Sequence, residues 1–238
     1  MFASAVADEI VACLSEAISE RGTASLVLAG GSTPSSIYRM LGIPPRVGEV
    51  EWDKVHLFWG DERWVAQEDN QSNYRMVKET LLHNILNNAP MVHPVDIAAS
   101  SPETAATKYE TEIRSALGTP EGEQPVFDIV LLGIGEDGHT ASIFPQSPVM
   151  GTDQVCAAVK NPSGSTRVTL TPATLLKARK ILFIVKGDNK ASVVREVLEG
   201  GDVVENLPAK LFHQAGDRVT WFLDSSAAKK LNSERLSA

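Results

Sequence analysis

The sequence predicts an α/β protein built on one doubly wound, mainly parallel sheet with helices on both faces. Short apolar runs rich in Val, Ile and Leu alternate with longer stretches of helical period, the pattern of strands covered on both faces and joined by helical crossovers. No Pro- or Gly-rich linker, repeat or low-complexity tract divides the 238 residues, so 1–238 read as a single domain. Hydrophobic residues make up 43% and charged residues 22%, enough apolar material for a real core.

The elements follow in order. Ala3–Ser19 places Val6, Ile10, Leu14 and Ala17 on one helical stripe. Asp8, Glu9, Glu16 and Glu20 interrupt its apolar residues, so it reads as a helix and not as a signal peptide. Strands are expected at Ser25–Ala29, Val55–Trp59, Phe127–Leu132, Val155–Val159, Ile181–Val185 and Val219–Leu223. Between them, Ser72–Leu86 carries Met76, Leu81, Leu82 and Ile85 at helical spacing. Ser101–Leu117 opens with Ser-Pro-Glu, an N-cap followed by proline at the first helical position. Ala191–Leu198 and Leu207–His213 complete the helices. Right-handed crossovers then place any ligand beyond the carboxyl ends of the strands, where the loops must carry the chemistry.

Composition narrows the function. No apolar stretch approaches the about 20 residues that cross a bilayer. A formal net charge of −8 argues against nucleic acid or an anionic membrane as partner. Cys13 and Cys156 are too few for a disulfide framework and read as buried thiols of a cytoplasmic protein. An anionic substrate would need a local cationic pocket and free backbone N–H groups to overcome the overall field.

Four loops are candidates. Ala29-Gly30-Gly31-Ser32-Thr33-Pro34 follows a strand and opens a helix. Gly30 and Gly31 let the backbone approach a ligand, Ser32 and Thr33 add hydroxyls, and the helix start offers free N–H groups to a phosphate. The plain alternative is a capped strand–helix turn; the Gly-Lys-Ser/Thr ending of a Walker loop is missing. Phe58-Trp59-Gly60-Asp61-Glu62-Arg63-Trp64-Val65 brackets three charges with two tryptophans. Arg63 could meet an anion or oxyanion and Asp61 substrate hydroxyls; a surface ion-pair cluster flanked by core aromatics weighs equally.

The third loop, Leu132-Gly133-Ile134-Gly135-Glu136-Asp137-Gly138-His139-Thr140-Ala141-Ser142, formally spells G-x-G-x-x-G. Pro145 interrupts the helix that dinucleotide binding requires, and the next strand ends in Lys160-Asn161 instead of a ribose-binding acid. What remains is a glycine-rich turn presenting His139 at a strand end as a candidate general base. Either Asp137 or Glu136 could orient its ring. Arg167-Val168-Thr169-Leu170-Thr171 and Lys186-Gly187-Asp188-Asn189-Lys190 supply Arg167 and Lys190 as the cationic complement. A lysine in the first turn of a helix is unfavourable with the helix dipole unless an anion sits there. His56, His83, His93, His139 and His213 show no metal spacing, and no Gly-x-Ser-x-Gly elbow is present.

Together these motifs, with Ser72-Asn73-Tyr74, resemble the 6-phosphogluconolactonase family in order and spread, from about residue 10 to 223. The resemblance implies cofactor-free hydrolysis of a phosphorylated sugar lactone, 6-phosphoglucono-δ-lactone. It also implies the fold shared with glucosamine-6-phosphate deaminase and ribose-5-phosphate isomerase. Carried over, His139 is the base, the Gly31–Thr33 loop holds phosphate, and Arg63, Arg167 and Lys190 are charged partners. The deaminase is the nearest alternative enzyme, but its glutamate five residues after the histidine falls here at Phe144. A non-catalytic sugar-phosphate sensor is the other alternative; Asp137 and His139 beside a phosphate loop favour an enzyme.

Overall fold

The computed structural model describes residues 2–201 and 207–232. Its main sheet has six strands, all parallel, in the order β4-β2-β1-β5-β8-β9. These are β1 (Ala24–Leu28), β2 (Val55–Trp59), β4 (Met91–His93), β5 (Ile129–Leu132), β8 (Lys180–Val185) and β9 (Val219–Leu223). A second, antiparallel sheet orders β3 (Asp61–Arg63), β7 (Thr166–Leu170) and β6 (Cys156–Lys160).

Strand residues alternate between two cores, as the period of two dictates. Leu26, Leu28, Leu57, Leu131 and Ile184 pack with α1 (Phe2–Arg21), α2 (Ser32–Leu41) and α3 (Asn73–Thr80). Val27, Phe58, Val130, Phe183 and Val185 face the opposite core. That side is covered by α4 (Pro102–Leu117), α5 (Pro172–Leu175), α6 (Ala191–Glu199) and the inner face of the small sheet, Val168 and Leu170. The sheet is therefore doubly wound, as its apolar runs predict.

Local signals set the helix ends. α1 runs on to Arg21 and stops at Gly22, whose φ of 81° is open to glycine and whose N–H donates to Ile18 O at 2.8 Å. Ser101 caps α4 by accepting from Thr104 N at 3.1 Å, with Pro102 at the first position as expected. The stretch predicted as a helix over Ser72–Leu86 is α3 followed by a 3-10 turn at Leu82–Asn84, because Leu81 leaves helical geometry at φ −125°. Leu207–His213, expected as a helix, lies in a run of 3-10 turns, Pro208–Arg218.

The segment predicted as a strand at Val155–Val159 does form one, but in the small sheet. Only Asn161–Ser165 separate β6 from β7, too few for the dozen or so residues of a parallel crossover, so the pair closes as a hairpin. The short β3 and β4, and the polar-looking β7, have no counterpart among the expected strands. Cys13 and Cys156 are both buried free thiols. Burial pushes them up to about 11 and about 12.

At the amino end of the sheet Asp128 ties β1 to β5. It accepts from Ser25 N and Oγ, both at 2.8 Å, and pairs with Arg21 Nε at 2.9 Å. At the other end β1 and β5 are neighbours whose following loops depart to different sides, the switch point where such sheets open a crevice.

Candidate active site

A cavity of about 330 Å³ occupies that crevice. Its walls are the loops that leave β1, β2, β5 and β8, together with Arg167 of β7 and Asn161 beyond β6.

The β1 loop turns at Gly30 and Gly31. A β-carbon on Gly30 would overlap the Asn73 amide, and Gly31 has φ 107°, ψ 173°, a conformation open essentially to glycine. Gly31 takes the N-cap position of α2 with no side-chain cap, so the Ser32 and Thr33 end of the helix faces the cavity. Pro34 is the third residue of α2; proline fits because that N–H also lacks a partner inside the helix.

The Asp61-Glu62-Arg63 segment is a strand and not a surface ion-pair cluster. Glu62 is buried and accepts from Asn73 N and Tyr74 N, both at 2.7 Å, thereby capping the start of α3. Burial raises its pKa, against the backbone N–H bonds that stabilise the carboxylate. Asp61, 8% exposed, accepts from Ser142 Oγ at 2.6 Å and lies 3.8 Å from Arg167 Nη1. Arg63 Nη1 donates to Gln71 O at 2.6 Å. The Nε atoms of Arg63 and Arg167 are buried without a hydrogen-bond partner among the described residues. Burial lowers the Arg167 pKa, Asp61 opposes that, and Arg63 adds to it.

His139 stands at the end of a turn closed by Gly138 N–H to Gly135 O at 3.0 Å and Gly135 N–H to His139 O at 2.8 Å. Gly138 takes φ 79°. Gly135 leaves room for the histidine, since a β-carbon there would overlap the imidazole and Asp137 Oδ1. His139 Nδ1 lies 2.5 Å from Asp137 Oδ1, which also accepts from the His139 backbone N–H at 3.2 Å. Burial opposes ionisation of Asp137, but the His139 charge and these hydrogen bonds outweigh it and hold the carboxyl below its ordinary range. Glu136 is engaged elsewhere, accepting from Asn189 Nδ2 at 2.6 Å. Phe144 packs on the imidazole with ring centroids 4.8 Å apart. With Nδ1 committed to the carboxylate, Nε2 is the ring nitrogen left for chemistry.

The fold thus gathers Gly30, Gly31, Ser32, Thr33, Asp61, Arg63, His139, Arg167 and Lys190 around one cavity, with Asp137 behind the histidine. Lys190 sits at the N-cap of α6, after a 3-10 turn at Asp188–Lys190. Lys186, Asn161 and Phe144, which no sequence motif assigns to the site, also line the cavity. Among the described residues, four cationic side chains, Arg63, Arg167, Lys186 and Lys190, therefore surround one pocket of a chain whose net charge is −8. Such a pocket can anchor an anion, activate water at Nε2 and stabilise developing negative charge.

Known proteins resemble this chain in sequence and in fold. A family model described as glucosamine-6-phosphate isomerases/6-phosphogluconolactonase matches residues 1–221. The 6-phosphogluconolactonase of Synechocystis sp. is 34% identical over 218 residues, covering 92% of this chain and 89% of its own. The structure of 6-phosphogluconolactonase from Trypanosoma cruzi superposes with a TM-score of 0.84 at 30% identity, over 97% of this chain and 93% of that one. A monomeric glucosamine-6-phosphate deaminase superposes with a TM-score of 0.80 at 25% identity, over 96% and 95% of the two chains. Model, relative and fold agree over most of the length, and the chain belongs to the family of glucosamine-6-phosphate isomerases and 6-phosphogluconolactonases.

Proposed function

We propose that this chain hydrolyses 6-phospho-D-glucono-1,5-lactone to 6-phospho-D-gluconate, the lactonase step of the oxidative pentose phosphate pathway. The observation that carries the reading is the 2.5 Å His139–Asp137 pair at the wall of a cavity rimmed by arginines, lysines and a helix start without a side-chain cap. The curated relatives of that name support it.

In this reading the substrate phosphate is held by the Gly30–Thr33 loop and by Lys190, with Lys186 beside it. His139 Nε2 takes a proton from water as the water oxygen bonds to the lactone C1. Asp137 fixes the tautomer and stabilises the imidazolium. The Arg63–Arg167 pair stabilises the oxyanion on C1. The C1–ring oxygen bond then breaks, and the proton passes from His139 to the departing ring oxygen. Asp61 keeps Arg167 in place.

Deamination of an amino sugar needs a further proton carrier on the sugar, and the position of the deaminase glutamate is filled here by Phe144 against the imidazole. The two free thiols fit a reducing compartment, and we assign the enzyme to the cytoplasm.

The test is hydrolysis of freshly generated lactone by wild type and His139→Ala, corrected for spontaneous opening. General-base catalysis contributes about 10²–10⁴-fold, so the variant should lose that factor in kcat while still binding 6-phosphogluconate. A wild type no faster than the spontaneous reaction sinks the proposal. Equal rates in the two proteins remove His139 from the mechanism.

A further inference from the structure

The active site draws on both sheets. His139 is carried by the loop after β5 of the main sheet, whereas Arg63 and Arg167 lie on β3 and β7 of the small one. The distance from base to arginines therefore depends on how the His139 loop is fastened across to the small sheet.

Ser142 makes that fastening. It is fully buried, its hydroxyl donates to Asp61 Oδ2 on β3 at 2.6 Å, and its N–H donates to Thr169 Oγ1 on β7 at 3.2 Å. Asp61 Oδ2 is also the oxygen 3.8 Å from Arg167 Nη1, so a single carboxylate oxygen receives the loop and faces the guanidinium. Thr169 is buried in turn and donates to Leu170 O at 3.0 Å.

The residue before Ser142 shows that the loop is held under load. Ala141 has φ 48°, a left-handed conformation that a side chain with a β-carbon rarely adopts. Such strain persists only where neighbouring contacts over-determine it. On the His139 side the contacts are Thr140 Oγ1 to Gly133 O at 2.8 Å and Ile143 N–H to Thr140 O at 2.9 Å, both within the loop. On the far side they are the two bonds of Ser142.

Resting on the lactonase reading, we infer that Ser142 is a positioning residue that sets the separation of His139 from the Arg63–Arg167 pair. Without it each group keeps its own chemistry, because Asp137 still holds the imidazole and the phosphate loop is untouched. What is lost is their simultaneous alignment on one carbonyl, and misplacement of about 1 Å costs about 10²-fold in rate.

The experiment measures kcat and KM for lactone hydrolysis, and Kd for 6-phosphogluconate by calorimetry, in wild type, Ser142→Ala and Thr169→Val. The Thr169 variant keeps the side-chain volume and removes only the hydroxyl, so it tests the clasp if Ser142→Ala folds poorly. In the folded variants kcat should fall by about 10- to 100-fold while Kd stays within about threefold of wild type. A wild-type kcat in both variants, or a kcat loss matched by an equal loss of product affinity, overturns the clasp and leaves the lactonase reading standing. A wild type that does not hydrolyse the lactone overturns both.

Discussion

Arg63 and Arg167 are direct cross-strand partners in the antiparallel pairing of β3 with β7, and both line the same cavity. Like charges placed directly opposite each other on a sheet are destabilising, and here both Nε atoms are also buried without a hydrogen-bond partner among the described residues. The arrangement makes sense for a site whose work is to hold negative charge.

Arg167→Met should therefore separate stability from function. Its ion pair with Asp61 is long, at 3.8 Å, and its removal relieves the repulsion with Arg63. The melting temperature in buffer should stay level or rise, while the rise produced by saturating 6-phosphogluconate should shrink. The measurement is a thermal melt with and without that ligand; an unchanged ligand-induced shift would count against the anion-binding role.

Gly135→Ala should damage catalysis far more than folding. The backbone of Gly135 is not left-handed, so alanine is tolerated there, but its β-carbon would press on the imidazole and on Asp137. Displacing the pair should lower kcat by about 100-fold, with little change in Tm. Near-wild-type turnover would mean that the imidazole moves aside and still works.

Acid should weaken the fold through a second histidine pair, away from the cavity. His56 Nδ1 meets His93 Nε2 at 2.9 Å, and His93 Nδ1 meets Glu112 at 2.7 Å. Burial, then the neighbouring His93 charge, lowers the His56 pKa. The unfolded chain thus takes up that proton first as the pH falls. The contribution is complete above the unfolded value, about 6.5, and is lost progressively as the pH drops through the lower folded value. Tm measured from pH 7.5 to 5 should decline more steeply in wild type than in His56→Gln, and identical slopes would contradict the assignment.

Much of this was legible in the chain. Apolar runs such as Val55–Trp59 and Ile181–Val185 carry their burial in their composition, and Ser101-Pro102 marks a helix start by local chemistry alone. The cavity residues on the loops after β1, β2, β5 and β8 were readable because each loop follows a strand of the parallel sheet, whose carboxyl ends all point one way; Arg167, on β7, is not placed by that rule. Of the small sheet only β6 was readable, as an apolar run. β3 has only three residues and β7 begins Thr166-Arg167, so pairing and not hydrophobic pattern defines them. The same holds for the choice between Asp137 and Glu136. Both are adjacent acids, and only the turn that directs one to His139 and the other to Asn189 distinguishes them. Ser142 gave no separate signal either, since its partners are 81 and 27 residues away in sequence.

The Gly60 peptide joins the two sheets: its N–H donates to Leu28 O of β1 at 2.9 Å and its carbonyl accepts from Leu170 N of β7 at 2.8 Å. A scaffold seamed in this way separates what must be kept from what is free to vary. His139 and the Gly30–Thr33 loop follow strands of the main sheet, which is packed between two cores. The β6–β7 hairpin ends in the exposed turn Pro162–Gly164 and reaches the cavity through Asn161. Lengthening or recomposing that tip offers evolution a way to reshape what the pocket admits while leaving the hydrolytic centre as it is.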